Sequence, residues 1–166
     1  MNLQFYFEKL YESEEFQKFK KDFPSAFLVG GFVVIDKENS GVGNKIHFDY
    51  YEPDYKKMTS FQLEKEVTSI PVEQVPDVAN KLADNIDFDF QKIEDLILDK
   101  MEQEKIKKNI QKILFSLQNI EGINYLLGTI FISGLGMIKI NIELDKMKIT
   151  DFQNKSFLDM INVFKR

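Results

Sequence analysis

The residues with chemical reach gather in one short stretch. His47, Asp49 and Tyr51 stand at alternate positions, and Glu52 and Asp54 follow. In an extended strand alternate side chains leave the same face, spaced by about 6.5–7 Å. A histidine with a carboxylate nearby is the least that general acid–base work requires, because imidazole changes its charge near neutral pH. A polar strand face turned to water has the same pattern. The stretch therefore defines catalytic candidates (His47, Asp49 and Tyr51) and leaves both readings open. The loop before it, 37–44 (KENSGVGN), carries Gly41 and Gly43. As a phosphate cradle it lacks the Gly-Lys-Ser/Thr ending and leads into no helix. The two glycines stand as candidates for a ligand loop and nothing more specific.

Composition removes several classes of chemistry. The 166 residues include no cysteine, which excludes disulfides, thiolate metal sites and cysteine nucleophiles. His47 is the single histidine, which excludes a multi-histidine metal site within one chain. No metal and no cofactor is assigned. The net charge is −5, and among the 22 basic residues only Arg166 is an arginine. The forked donors that read phosphates and base edges are nearly absent, so no nucleic-acid partner is expected. The lysines of 100–112 alternate with Glu102 and Glu104 and read as a solvated face. The longest apolar run, 125–138, is broken by three glycines and Ser133. A spanning helix needs roughly 20 apolar residues, so no membrane partner is expected. No basic run followed by an apolar block opens the chain, and the expected location is the cytoplasm.

The elements that must position these residues follow from periodicity. Apolar residues spaced by three or four predict helix over 3–22, with Ser13 starting a second helix and Phe23-Pro24 ending it. Residues 26–36 predict a strand apolar on both faces, with Phe27, Val29, Val33 and Ile35 on one and Leu28, Phe32 and Val34 on the other. The pair Gly30-Gly31 marks a bulge or a close backbone approach. Residues 45–52 alternate, with Ile46, Phe48 and Tyr50 inward. A third strand spans 57–68, and Pro71 and Pro76 close this half. A short helix over 77–83 precedes a long one that Asp89 caps and Gly122 stops. Its stripe is Ile93, Leu96, Ile97, Met101, Ile106, Ile110, Ile113, Leu114 and Leu117. At 1.5 Å per residue such a helix runs about 45 Å, so a break near 102–105 is expected. Strands over 124–132, 137–144 and 147–152 follow, then a short helix that Ser156 caps.

The stretch 28–35 (LVGGFVVI) reads against 126–133 (LLGTIFIS), and 58–62 (MTSFQ) against 149–153 (ITDFQ). These matches predict a duplicated helix-plus-meander unit, with one extra residue near Pro53 reconciling their registers. The expected fold class is α+β: an antiparallel sheet of about six strands from two helix-meander repeats, with the long central helix packed on it. The halves are 1–72 and 89–166, joined by a connector over 73–88 into one shared globular domain. A helix followed by a three-stranded meander, used twice over 3–62 and 106–153, resembles the tandem units of PepSY-type domains and of the beta-lactamase inhibitor protein. The resemblance lies in element order, and no motif residue carries it. It implies action by binding or inhibition, in exported or envelope proteins, and the chain departs from it in lacking an export signal.

Strands apolar on both faces need cover on both, from helices or from another molecule. Phe27, Phe32, Val34 and Phe131 are the candidates for an interface. The expected function is a soluble, non-catalytic binding or assembly module whose partner is a protein or a second copy, as in a homodimer. One alternative is a small hydrolase-like enzyme using His47 and Asp49. Another is a carrier of an apolar small ligand in a Phe-lined cavity.

Overall fold

Two short helices open the chain because Ser13 interrupts what would otherwise be one. Its side chain accepts from the Phe16 N–H at 3.2 Å and donates to the Leu10 carbonyl at 2.6 Å, ending α1 (Leu3–Glu12) and starting α2 (Glu14–Asp22). The computed structural model describes residues 2–39, 43–73, 79–83 and 86–156. After the helices come β1 (Phe27–Asp36), β2 (Lys45–Glu52), β3 (Lys57–Gln62) and β4 (Thr68–Val72). One further helix, α3 (Phe90–Gln103), precedes β5 (Ile110–Ile120), β6 (Ile123–Ile132), β7 (Gly136–Glu143) and β8 (Lys148–Ser156).

All the strands join one sheet in the order β4-β3-β2-β1-β5-β6-β7-β8, and every pairing is antiparallel. Each half is a meander of four strands, and β1 and β5 join the halves at the centre. Among the described residues the expected six strands are eight. The expected long central helix is a 14-residue helix followed by a strand of 11 residues. Residues 104–109 carry the chain from one to the other. The strand 57–68 divides into β3 and β4 at a turn over 64–66, and β4 accommodates Pro71 because it lies at the sheet edge. Of the expected helix over 77–83, the part 79–83 has no regular structure, and 77–78 lie outside the described residues. The helix expected after Ser156 lies outside them too. The sequence match set β1 against β6, yet β1 is a central neighbour of β5, while β6 lies one strand further out.

The helices cover one face of the sheet. Leu3, Phe7 and Leu10 of α1, Phe16 of α2, and Phe90, Ile93, Ile97 and Met101 of α3 are buried in one cluster with Phe48, Phe61, Phe115, Leu126, Ile130 and Ile140 of the strands. Phe7 stacks on Phe48 at 4.3 Å, and Phe16 and Phe19 meet Phe61 edge-on at 5.2 and 5.0 Å. Five of the 16 phenylalanines thus meet at the seam between the N-terminal helices and the first meander.

Candidate functional site

The opposite face carries no described helix, and its composition follows from register. Directly paired residues of an antiparallel sheet share a face. From β1 outward, Phe32 pairs with His47 and His47 with Gln62. In the other direction Phe32 pairs with Ser116, Ser116 with Leu127 and Leu127 with Asn141. The next rows set Val34 beside Leu114, and Lys112 beside Phe131 and Met137. A bulge between Leu28 and Gly30 leaves Val29 unpaired and reverses the alternation there. Leu28 and Val33 therefore face the helices together, and Phe27, Phe32 and Val34 lie together on the open face. The sequence foresaw a bulge at the glycines and mis-sorted the residues because it did not carry the reversal through.

The four interface candidates thus share one face. Phe27 meets the Tyr51 ring edge-on at 5.7 Å. Phe32 and Phe131 are each 38% exposed, while Val34 between their rows is 9% exposed. Around them stand Leu114, Leu127 and Met137, all half-buried, interleaved with Ser116, Thr129 and Lys139.

The three catalytic candidates share this face and serve different neighbours. His47 Nε2 lies 2.8 Å from Glu64 Oε1, and its ring is 6.5 Å from that of Phe32. Glu64 is the carboxylate that sequence reasoning missed. It lies two residues beyond Gln62, the cross-strand partner of His47, so register could have found it. Asp49 instead borders an open cleft of about 440 Å³ with Gly30, Phe32, Met58, Asn80 and Gln118. Tyr51 pairs with Phe27 and Met58. An imidazole beside a carboxylate can hold a proton. The pair His47–Glu64 has no described serine or threonine hydroxyl bonded to it. Among the described residues no group of three or more His, Asp and Glu side chains is placed to hold a metal ion. Glu52 turns the other way, is 3% exposed, and accepts the Asp54 N–H at 2.9 Å, fixing the β2–β3 turn.

Of the loop glycines, Gly41 lies outside the described residues. Gly43 packs against Asp36: a Cβ there would stand 2.5 Å from Asp36 Oδ2. Asp36 is 6% exposed and accepts the N–H groups of Asn39 at 2.9 Å and Glu38 at 3.1 Å, with Lys112 Nζ at 3.1 Å. The described residues of the loop close on a carboxylate, which accounts for Gly43 sterically. The Asn39 N–H, and after it Lys112, hold the Asp36 carboxyl below its ordinary range. A depressed carboxyl stabilises the fold above its unfolded value and loses that contribution as pH falls through the folded value. Asp36→Asn should therefore lower the urea midpoint at pH 7. The gap to the parent protein should shrink below about pH 4, where the parent carboxyl begins to bind its proton in the unfolded chain. A gap that stays constant between pH 7 and about pH 2.5 would remove the ionised carboxylate from this account.

Among the described residues no helix is long and apolar enough to cross a membrane. No family model matches the chain, and no curated protein matches it. One solved structure shares the fold: a "putative lipoprotein" from Clostridium difficile 630, 12% identical, with a TM-score of 0.56 over 84% of this chain and 89% of that one. At that identity the likeness is one of fold.

Proposed function

We propose that the protein is a non-catalytic binding module that self-associates through the open face of its sheet. The observation that supports this is the placement of Phe32 and Phe131, each 38% exposed, on a face with no described helix, on either side of the 9%-exposed Val34. Aromatic side chains on such a face contribute most to association where a partner desolvates them. The interleaved Ser116, Thr129 and Lys139 suit an interface that the free protein can leave wet. An enzyme would need His47, Asp49 and a bond-forming group around one cleft, and here His47 turns to Glu64 while Asp49 borders the cleft. The cytoplasm remains the expected location under this reading.

The test is mass in solution by light scattering at about 0.5 M salt, where exposed charges are screened. The parent protein should exceed the monomer mass, and Phe32→Gln with Phe131→Gln should return it to monomer that still unfolds in one cooperative urea transition. A parent protein that stays monomeric at every concentration would sink the reading.

A further inference from the structure

One end of the sheet carries a feature that the fold does not require. The turn between β6 and β7 is Ser133-Gly134-Leu135, and Leu135 is 73% exposed with φ of 58°. A bulky side chain is rare in the left-handed region, and glycine, asparagine or aspartate would serve the turn at lower cost. Lys108 reaches this turn: a Cβ built on Gly136 would stand 3.4 Å from its Nζ. Lys108 also lines an open groove of about 400 Å³ with Leu98, Lys105, Ile106 and Lys107, and with one acid, Glu102. Leu98 is 45% exposed. Lys105, Lys107 and Lys108 are exposed and form no ion pair among the described residues. The result is a rim of two exposed leucines, one acid and three cations without an ion pair among the described residues, a local excess of positive charge on a chain whose net charge is −5.

The opposite chemistry stands at the same end of the sheet. Register places the β3–β4 turn, the β6–β7 turn and the start of β5 on one end. Beside the β3–β4 turn an open groove of about 650 Å³ is bordered by Glu8, Glu12, Glu14, Glu15 and Glu66 around Phe5, which is 56% exposed. The cation among them, Lys9, is turned inward, donating to the Leu63 and Lys65 carbonyls at 2.6 and 2.7 Å. Acids around an exposed phenylalanine complement cations around exposed leucines. Five strand spacings of about 4.8 Å separate the two turns, too far for one molecule to join them itself.

We propose that the leucine–lysine rim of one copy docks on the acidic, Phe5-containing groove of another. A two-fold pair makes this contact twice, and any other relation builds a chain of copies. The contact is independent of the open sheet face and differs from it in salt dependence, because exposed charges are screened as the Debye length shrinks.

The test mixes two charge-reversed proteins. Lys107→Glu with Lys108→Glu makes both surfaces acidic, and Glu8→Lys with Glu12→Lys and Glu66→Lys leaves only Glu14 and Glu15 in the groove and makes both basic. At about 0.05 M salt the parent protein should associate, and raising salt to about 0.5 M should weaken that association at least tenfold. Each reversed protein alone should lose the low-salt association, and mixing them should restore it. Restoration on mixing also shows that both variants are folded. Leu135→Ser, which changes no charge, should weaken the contact several-fold. Salt-independent association, failure of the mixture to associate, or an unaffected Leu135→Ser would each overturn the proposal. The pair Phe32→Gln and Phe131→Gln separates the two surfaces. Salt-sensitive association that survives it belongs to the rim, and salt-resistant association that it removes belongs to the open face.

Discussion

Phe61→Ala should cost about 3–5 kcal/mol of folding stability, the usual range for emptying a buried phenylalanine site. Phe61 is fully buried, and three rings close on it: Phe16 at 5.2 Å, Phe19 at 5.0 Å and Tyr50 at 5.8 Å. Two of these rings come from α2, which buries only Phe16 of its own residues fully. The helix therefore has little else to hold it, and the cavity would open where collapse is hardest: between a helix and a hydrogen-bonded sheet. Against a typical total of about 5–15 kcal/mol, the loss is a large fraction. Urea unfolding would show it as a lower midpoint with an unchanged slope. Phe61→Leu keeps most of the volume and should cost less than half as much. Equal losses for the two substitutions would mean that the edge-on ring contacts, rather than the filled volume, hold α2 in place.

How far the sequence disclosed this architecture depended on which signal each segment carried. The break at Ser13 was legible because capping is local: a hydroxyl followed by two acids satisfies a helix start without help from the rest of the fold. Strands β2 and β7 were legible because each has one wet face, so polar residues report the alternation. Strand β5 was not. Ile106, Ile110, Ile113, Leu114 and Leu117 satisfy a helical spacing, and β5 is flanked by β1 and β6. Its outer face holds Leu114 among Lys112, Ser116 and Gln118, so Leu114 next to Ile113 completes a helical spacing and hides the alternation of Ile113, Phe115 and Leu117. The discordant residue was Phe115, absent from the helical stripe and 1% exposed in the structure. The end of that supposed helix was a hairpin: Glu121 and Gly122 both have positive φ, at 52° and 84°, as the tight two-residue turn requires. Of the candidate site, the shared face of His47, Asp49 and Tyr51 could be read from alternation. The partner Glu64 depended on cross-strand register, and the clustering of Phe32 with Phe131 depended on strand order, which local patterns do not fix.

Gly128→Ala should destabilise the protein by about 1–3 kcal/mol, although it adds a single methyl group. Gly128 lies on the helix-covered face of β6, paired with Phe115 on one side and Ile140 on the other. A Cβ there would stand 2.5 Å from Ile140 Cγ2 and 3.0 Å from Phe115 Cε1. Both neighbours are buried, at 0 and 1% exposure, so neither side chain can swing into solvent. Close-packed interiors transmit such an intrusion to the backbone instead of absorbing it. The origin of the penalty can be isolated. Ile140→Ala removes the atom in conflict and should by itself cost about 2–5 kcal/mol through the cavity it leaves. Combined with it, Gly128→Ala should cost much less than it does alone, because the new methyl enters the vacated space. The double-mutant cycle should then give a favourable interaction of about 1 kcal/mol or more, measured as urea midpoints of the four proteins. Additive losses would show that the glycine is needed for its backbone and not for the room it leaves between Phe115 and Ile140.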